Sequence, residues 1–105
     1  MSRRPRTRTV PIGQTVQGAG HEVVPAPAHG AIVVTSYLCV LGAGGTYQWK
    51  SGSTAISDAV PVDANSGAAA SSNRDDGVLN CLYGEPLVID TTGAPAKGHV
   101  TYHIE

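Results

Sequence analysis

Residues 49–57 read WKSGSTAIS, and that string restricts the fold more than any other in the chain. Trp49, Thr54 and Ile56 suit a pleated, half-buried surface, and Gly52 stands where a tight turn needs positive φ. The segment therefore predicts strand, turn, strand. It offers no reactive group: Ser51, Ser53, Ser57 and, further on, Ser66 have no histidine nearby in sequence and no nucleophile-elbow motif.

The same grammar recurs along the rest of the chain. Residues 31–41, AIVVTSYLCVL, form the longest apolar run and predict a strand covered on both faces. The glycines at 42, 44 and 45 then predict a hairpin into a strand over 46–50, and a second hairpin follows through 54–56. Residues 60–62, VPV, fit an edge strand because Pro61 has no N–H to donate. Residues 63–76 are small and polar and predict a loop, followed by strands over 78–83 and 87–92. The last run, 98–105, alternates, with Val100, Tyr102 and Ile104 on a core face and His99, Thr101, His103 and Glu105 outward. About seven short strands without an amphipathic helix indicate an all-β fold, an antiparallel β-sandwich or jelly-roll-like barrel.

The first 27 residues differ. They show no period, contain Gly13, Gly18 and Gly20, and end in Pro25-Ala26-Pro27, so they predict an extended N-terminal arm (1–27) ordered on binding, ahead of a sandwich domain (28–105). Four of the chain's seven basic residues, Arg3, Arg4, Arg6 and Arg8, lie in the first eight positions. Three basic residues then remain against all eight acidic ones, a net of −5 on the rest of the chain. This division of a cationic arm from an anionic body suggests that the arm grips an acidic surface, of nucleic acid or of another subunit. Val10, Ile12, Val23 and Val24 would be its apolar footholds.

A sandwich of fewer than about 80 residues, with no Phe and one Trp, has a small core, and oligomerisation is its natural reinforcement. No apolar run reaches the ~18 residues of a membrane span, and no secretory leader is apparent, so synthesis in the cytosol and no membrane partner are expected. Cys39 and Cys81 sit in apolar runs without metal-ligand spacing and are read as buried thiols, with a disulfide as the alternative where their Cα atoms come within about 7 Å. His99 and His103 would lie about 13 Å apart on a strand, too far for one metal ion within a subunit, which leaves a ring of symmetry-related histidines around an oligomer axis as the alternative. Asp63, Asn65, Asn73, Asp75 and Asp76 do not match a calcium loop. Catalytic, cofactor and metal sites are thus all expected to be absent.

Taken in order, WKSGSTAIS, VPVDANSG (60–67), Gly77, YGEPLVID (83–90) and GHVTY (98–102) resemble a family of small β-sandwich virion proteins of tailed bacteriophages. The likeness covers roughly residues 32–102 and departs from the usual pattern at Ser66 and Pro86. It implies a capsid decoration, or cement, protein, a homotrimer on the virion surface that binds the major capsid protein and stabilises the head. The resemblance also admits a head-fibre, neck or tail-associated module, with a glycan-binding face if aromatic rings are exposed. A nucleic-acid-binding protein acting through the Arg arm is a further alternative, disfavoured by the acidic body.

Overall fold

The computed structural model describes residues 7–64, 66–71 and 77–105. Its regular elements are ten strands: β1 (Arg8–Pro11), β2 (His21–Val24), β3 (Ile32–Leu41), β4 (Gly45–Ser51), β5 (Thr54–Ala55), β6 (Val60–Val62), β7 (Ser66–Ser71), β8 (Leu79–Asn80), β9 (Leu87–Thr92) and β10 (Ala96–Ile104). They form two antiparallel sheets, the expected sandwich. The first has the order β1-β10-β3-β7, with β8 also on β3; the second has the order β2-β9-β4-β5, with β6 also on β4. Each sheet thus has a long central pair, one N-terminal strand on one flank and two short strands on the other.

Period-two alternation explains the core. On β4, Tyr47, Trp49 and Ser51 point inward and are buried, while Thr46, Gln48 and Lys50 point outward. Leu87 and Ile89 of β9 join them from the same sheet, and Ile32, Val34, Cys39, Leu41, Val100 and Tyr102 close the core from the other. Trp49 is fully buried, its ring 5.1 Å from Tyr37 and 6.5 Å from Tyr47, in edge-on packing that suits the ring quadrupoles. The Tyr37 and Tyr47 hydroxyls pair at 3.2 Å, which satisfies both phenols inside the sandwich.

Three strands were not expected. β1 and β2 lie in the predicted arm, where they form the outer strands of the two sheets, β1 on β10 and β2 on β9. The segment is extended, as expected, but it is docked on the body and buries Ile12 and Val24. β7 lies in the predicted loop, where Gly67, Ala68, Ala69 and Ala70 pair with Val40, Cys39, Leu38 and Tyr37. Conversely, the strand expected over 78–83 shrinks to Leu79–Asn80.

The glycine-rich turn after β3 is not a hairpin. β3 and β4 belong to different sheets, and residues 42–44 carry the chain across the sandwich. Gly45, at φ 142°, crosses against the Thr92 carbonyl with no room for a side chain. The hairpin through Gly52 is as expected, with Ser51 facing Thr54 and φ 58° at the glycine.

β3 is covered on both faces only at its start, Ile32-Val33-Val34; further on, Leu38 is exposed. On β10 the expected facing holds through Tyr102 and then reverses: His103 is buried opposite Val33, and Ile104 is 38% exposed. A register shift accompanies this change, since Thr101 pairs with Ser36 and Tyr102 with Val34, leaving Thr35 as the extra residue of a bulge.

Candidate partner-binding surface

The residues expected to contact a partner fall into three groups. Arg3, Arg4 and Arg6 lie outside the described residues. Arg8 is exposed on β1, the outer strand of its sheet, opposite Tyr102. Val10, Ile12, Val23 and Val24 are occupied within the molecule, Ile12 and Val24 in the core and Val10 and Val23 packed against it. The surface these four side chains grip within the molecule is this chain's own sandwich.

The reason is a polar plug that fixes the crossover between β1 and β2. Gln14 is 2% exposed, and its side-chain oxygen accepts the Thr91 hydroxyl at 2.7 Å and the Ala96 amide at 2.8 Å. Its side-chain nitrogen donates to the Gly18 carbonyl at 3.3 Å, and its own carbonyl accepts the Lys97 ammonium at 3.0 Å. Nearby, the His21 ring Nε2 donates to the Ile12 carbonyl at 2.7 Å, and the Gly20 amide donates to Asp90 at 2.8 Å. One glutamine thus joins both sheets to the crossover. A single Gln among Gly and Thr gives no periodic signal, so sequence reasoning passed over it.

Asp90 faces out from β9 and ion-pairs with Lys50 on β4 at 2.7 Å. Partial burial alone would raise the carboxyl, but the hydrogen bonds from Lys50 and Gly20 and the Lys50 charge outweigh it and hold Asp90 below its ordinary value. Beside this pair lies an open groove of about 530 Å³, bordered by Gln17, Gly18, Thr46, Gln48, Asp90 and Thr92. Gln48 donates to the Ser57 carbonyl, and the Thr46 and Thr92 hydroxyls pair with each other. On the opposite sheet, Ser36, Leu38, Ala69, Ser71 and His99 surround a smaller hollow of about 340 Å³.

Cys39 and Cys81 are both buried free thiols. Burial pushes Cys39 up to about 12; it also pushes Cys81 up to about 11, opposed by a hydrogen bond with Ser51 and assisted by the nearby Glu85 charge. Among the described residues no group of three His, Cys, Asp or Glu side chains could hold a metal ion. Asp75, Asp76, Asn65 and Asn73, weighed as oxygen donors, lie outside the described residues. His99 is exposed, whereas His103 is buried and its Nε2 has no hydrogen-bond partner among the described residues.

Compared with family models, curated proteins and solved structures, the chain matches none.

Proposed function

We propose that this chain is a structural virion protein, a capsid decoration protein that binds the assembled head of a tailed phage as an oligomer and stabilises it. The observation that carries the reading is where the residues behind the resemblance fall. Trp49 and Gly52 form the inward strand and turn of one sheet, Leu87 and Ile89 pair beside them, and Val100 and Tyr102 close the core from the other. These positions support a β-sandwich body of the kind the resemblance implies. Arg8, exposed at the edge of β1, continues a cationic run with Arg3, Arg4 and Arg6, and such a run suits an acidic rim where shell subunits meet.

The docked N-terminal segment changes what a test must remove. Deleting residues 1–27 would also delete Ile12, Gln14 and Val24 from the interior, so loss of binding would not be separable from loss of the fold. Substituting Arg3, Arg4, Arg6 and Arg8 by Gln keeps Ile12, Gln14 and Val24 in the chain. Full-length protein mixed with expanded heads of the phage that encodes it should sediment with them and raise their melting temperature. The Gln variant should bind more weakly, with a shallower dependence on salt. Failure of the unaltered protein to sediment with heads at low salt would overturn the reading.

A second reading, a fibre- or tail-associated module that binds glycans, draws on the groove beside Asp90, where hydroxyl, amide and carboxylate groups converge. Against it, Tyr47 and Trp49 are buried, and the exposed Tyr83 does not border that groove, so no ring there is open for a sugar to stack on. Saturation-transfer NMR with host surface polysaccharide tests it: transfer lost in Gln48→Ala would favour this role over decoration.

A further inference from the structure

We propose that copies of this chain are held together by exchange of residues 7–24, so that β1 and β2 of one protomer complete the two sheets of its neighbour. The proposal rests on the oligomeric half of the reading above and is independent of what the oligomer binds.

The first observation is that the segment is peripheral in topology yet essential to the interior. Among the described strands β1 pairs only with β10, and β2 only with β9, each as the outermost strand of its sheet. Lifting the pair away breaks no ladder within the remaining body. It would, however, open the core at Ile12 and Val24 and leave the Ala96 amide, which is buried, without its Gln14 acceptor. A body in that state presents a slot of defined register and chemistry. The only sequence known to fit the slot is this segment, from the same copy or from another.

The second observation is the tether. Between Val24 and Ala31 run Pro25, Ala26, Pro27, Ala28, His29 and Gly30, mostly exposed. Their backbone attachments to the body begin only at Gly30, whose carbonyl accepts the Gly84 amide, and at Ala31, which exchanges two hydrogen bonds with Glu105. Two prolines favour an extended tether, which at about 3.1 Å per residue reaches roughly 20 Å. The shorter axes of the molecule measure 25 and 21 Å, so the tether can deliver the segment to an adjacent copy. The segment also travels as a unit, because the His21 ring is bonded to the Ile12 carbonyl within it.

Closed and exchanged forms bury the same contacts, so the balance between them is set by the tether and by protein concentration. Passing the segment in one direction around a ring closes a cyclic oligomer without creating a new interface.

The Thr9 and Thr101 hydroxyls face each other at 2.8 Å across β1 and β10, which makes the pair a reporter of whose segment is bound. Full-length Thr9→Cys/Thr101→Cys protein, isolated as its solution oligomer, diluted and oxidised, should run on a non-reducing gel as covalently linked multimers. Thr9→Cys alone should not form a ladder. A second pair, Glu22→Cys/Val88→Cys on the other sheet, should give the same pattern and guards against failure of the first to fold or close. An oligomer in which both pairs lock only within single chains would overturn the exchange and leave the oligomer standing. A monomer at all concentrations would overturn the exchange and the oligomeric reading together.

Discussion

The side-chain oxygen of Gln14 lies 2.7 Å from the Thr91 hydroxyl, so a residue of the N-terminal crossover is bonded to a strand 77 positions away in sequence. The same oxygen receives the buried Ala96 amide. Gln14→Leu would leave both donors without an acceptor in a dry site. Unsatisfied buried donors each cost roughly 1–3 kcal/mol, so a loss of about 3 kcal/mol is expected in urea denaturation. Gln17→Leu, at an exposed position of the same crossover, should stay within about 0.5 kcal/mol of the parent. Equal effects from the two would remove the plug from the account.

Asp90 gives a stability that depends on pH in one direction. The folded state holds its carboxyl below the unfolded value, so its contribution is complete above about pH 4, where the unfolded chain is also ionised. It is lost as the pH falls through the lower, folded value. For a pair this near the surface the gain is less than about 1 kcal/mol. Parent and Asp90→Asn should differ most at neutral pH and converge in acid when melting is followed across that range. A gap that widens in acid would contradict the assignment.

The two thiols should be silent in the folded protein. With Cys39 raised to about 12 and Cys81 to about 11 by burial, the thiolate fraction at pH 8 is very small and reagent access is blocked. Alkylation followed by intact mass should show no addition to the native protein and two additions after denaturation. Rapid native labelling of Cys81 would mean that the end of the sandwich around Ser51 and Glu85 opens readily.

Gly45 and Gly42 lie in one corner and should respond oppositely to alanine. At Gly45 a new Cβ would run into the Thr92 carbonyl, and the backbone there is in a region L residues rarely adopt. Gly45→Ala should cost at least about 2 kcal/mol. Gly42 has nothing within 4 Å of a new Cβ, so Gly42→Ala should be neutral or slightly stabilising, by up to about 0.5 kcal/mol. Thermal melts of the two variants side by side make the comparison.

What could be read from the residues, and what could not, follows from where the determining interactions lie. β3, β4, β6 and β9 announce themselves because Val, Ile, Tyr and Trp alternate between turn residues. β7 does not, since SGAAAS has no side chains large enough to show a pleat. Its strand is imposed by β3, and close approach explains its composition: a Cβ at Gly67 would fall 2.5 Å from the Cys39 carbonyl oxygen. The corner after β3 read as a hairpin because its glycines allow either path, and Thr92, distant in sequence, decides. His103 followed the alternation of its strand but lies against Val33, on a face predicted to be open. At the candidate surface, the apolar character of Val10, Ile12, Val23 and Val24 is legible in the sequence; that Ile12 and Val24 turn inward is not, because Gln14 and its partners meet only in the fold.

Six of the nine connections between the described strands pass from one sheet to the other: those after β1, β2, β3, β6, β8 and β9. Neither sheet can therefore be completed before its neighbour, and little of the ladder is local in sequence. Such a chain is expected to fold late and all at once, on the millisecond-to-second scale typical of non-local β topologies. Nearly its whole length must be available before any stable half exists.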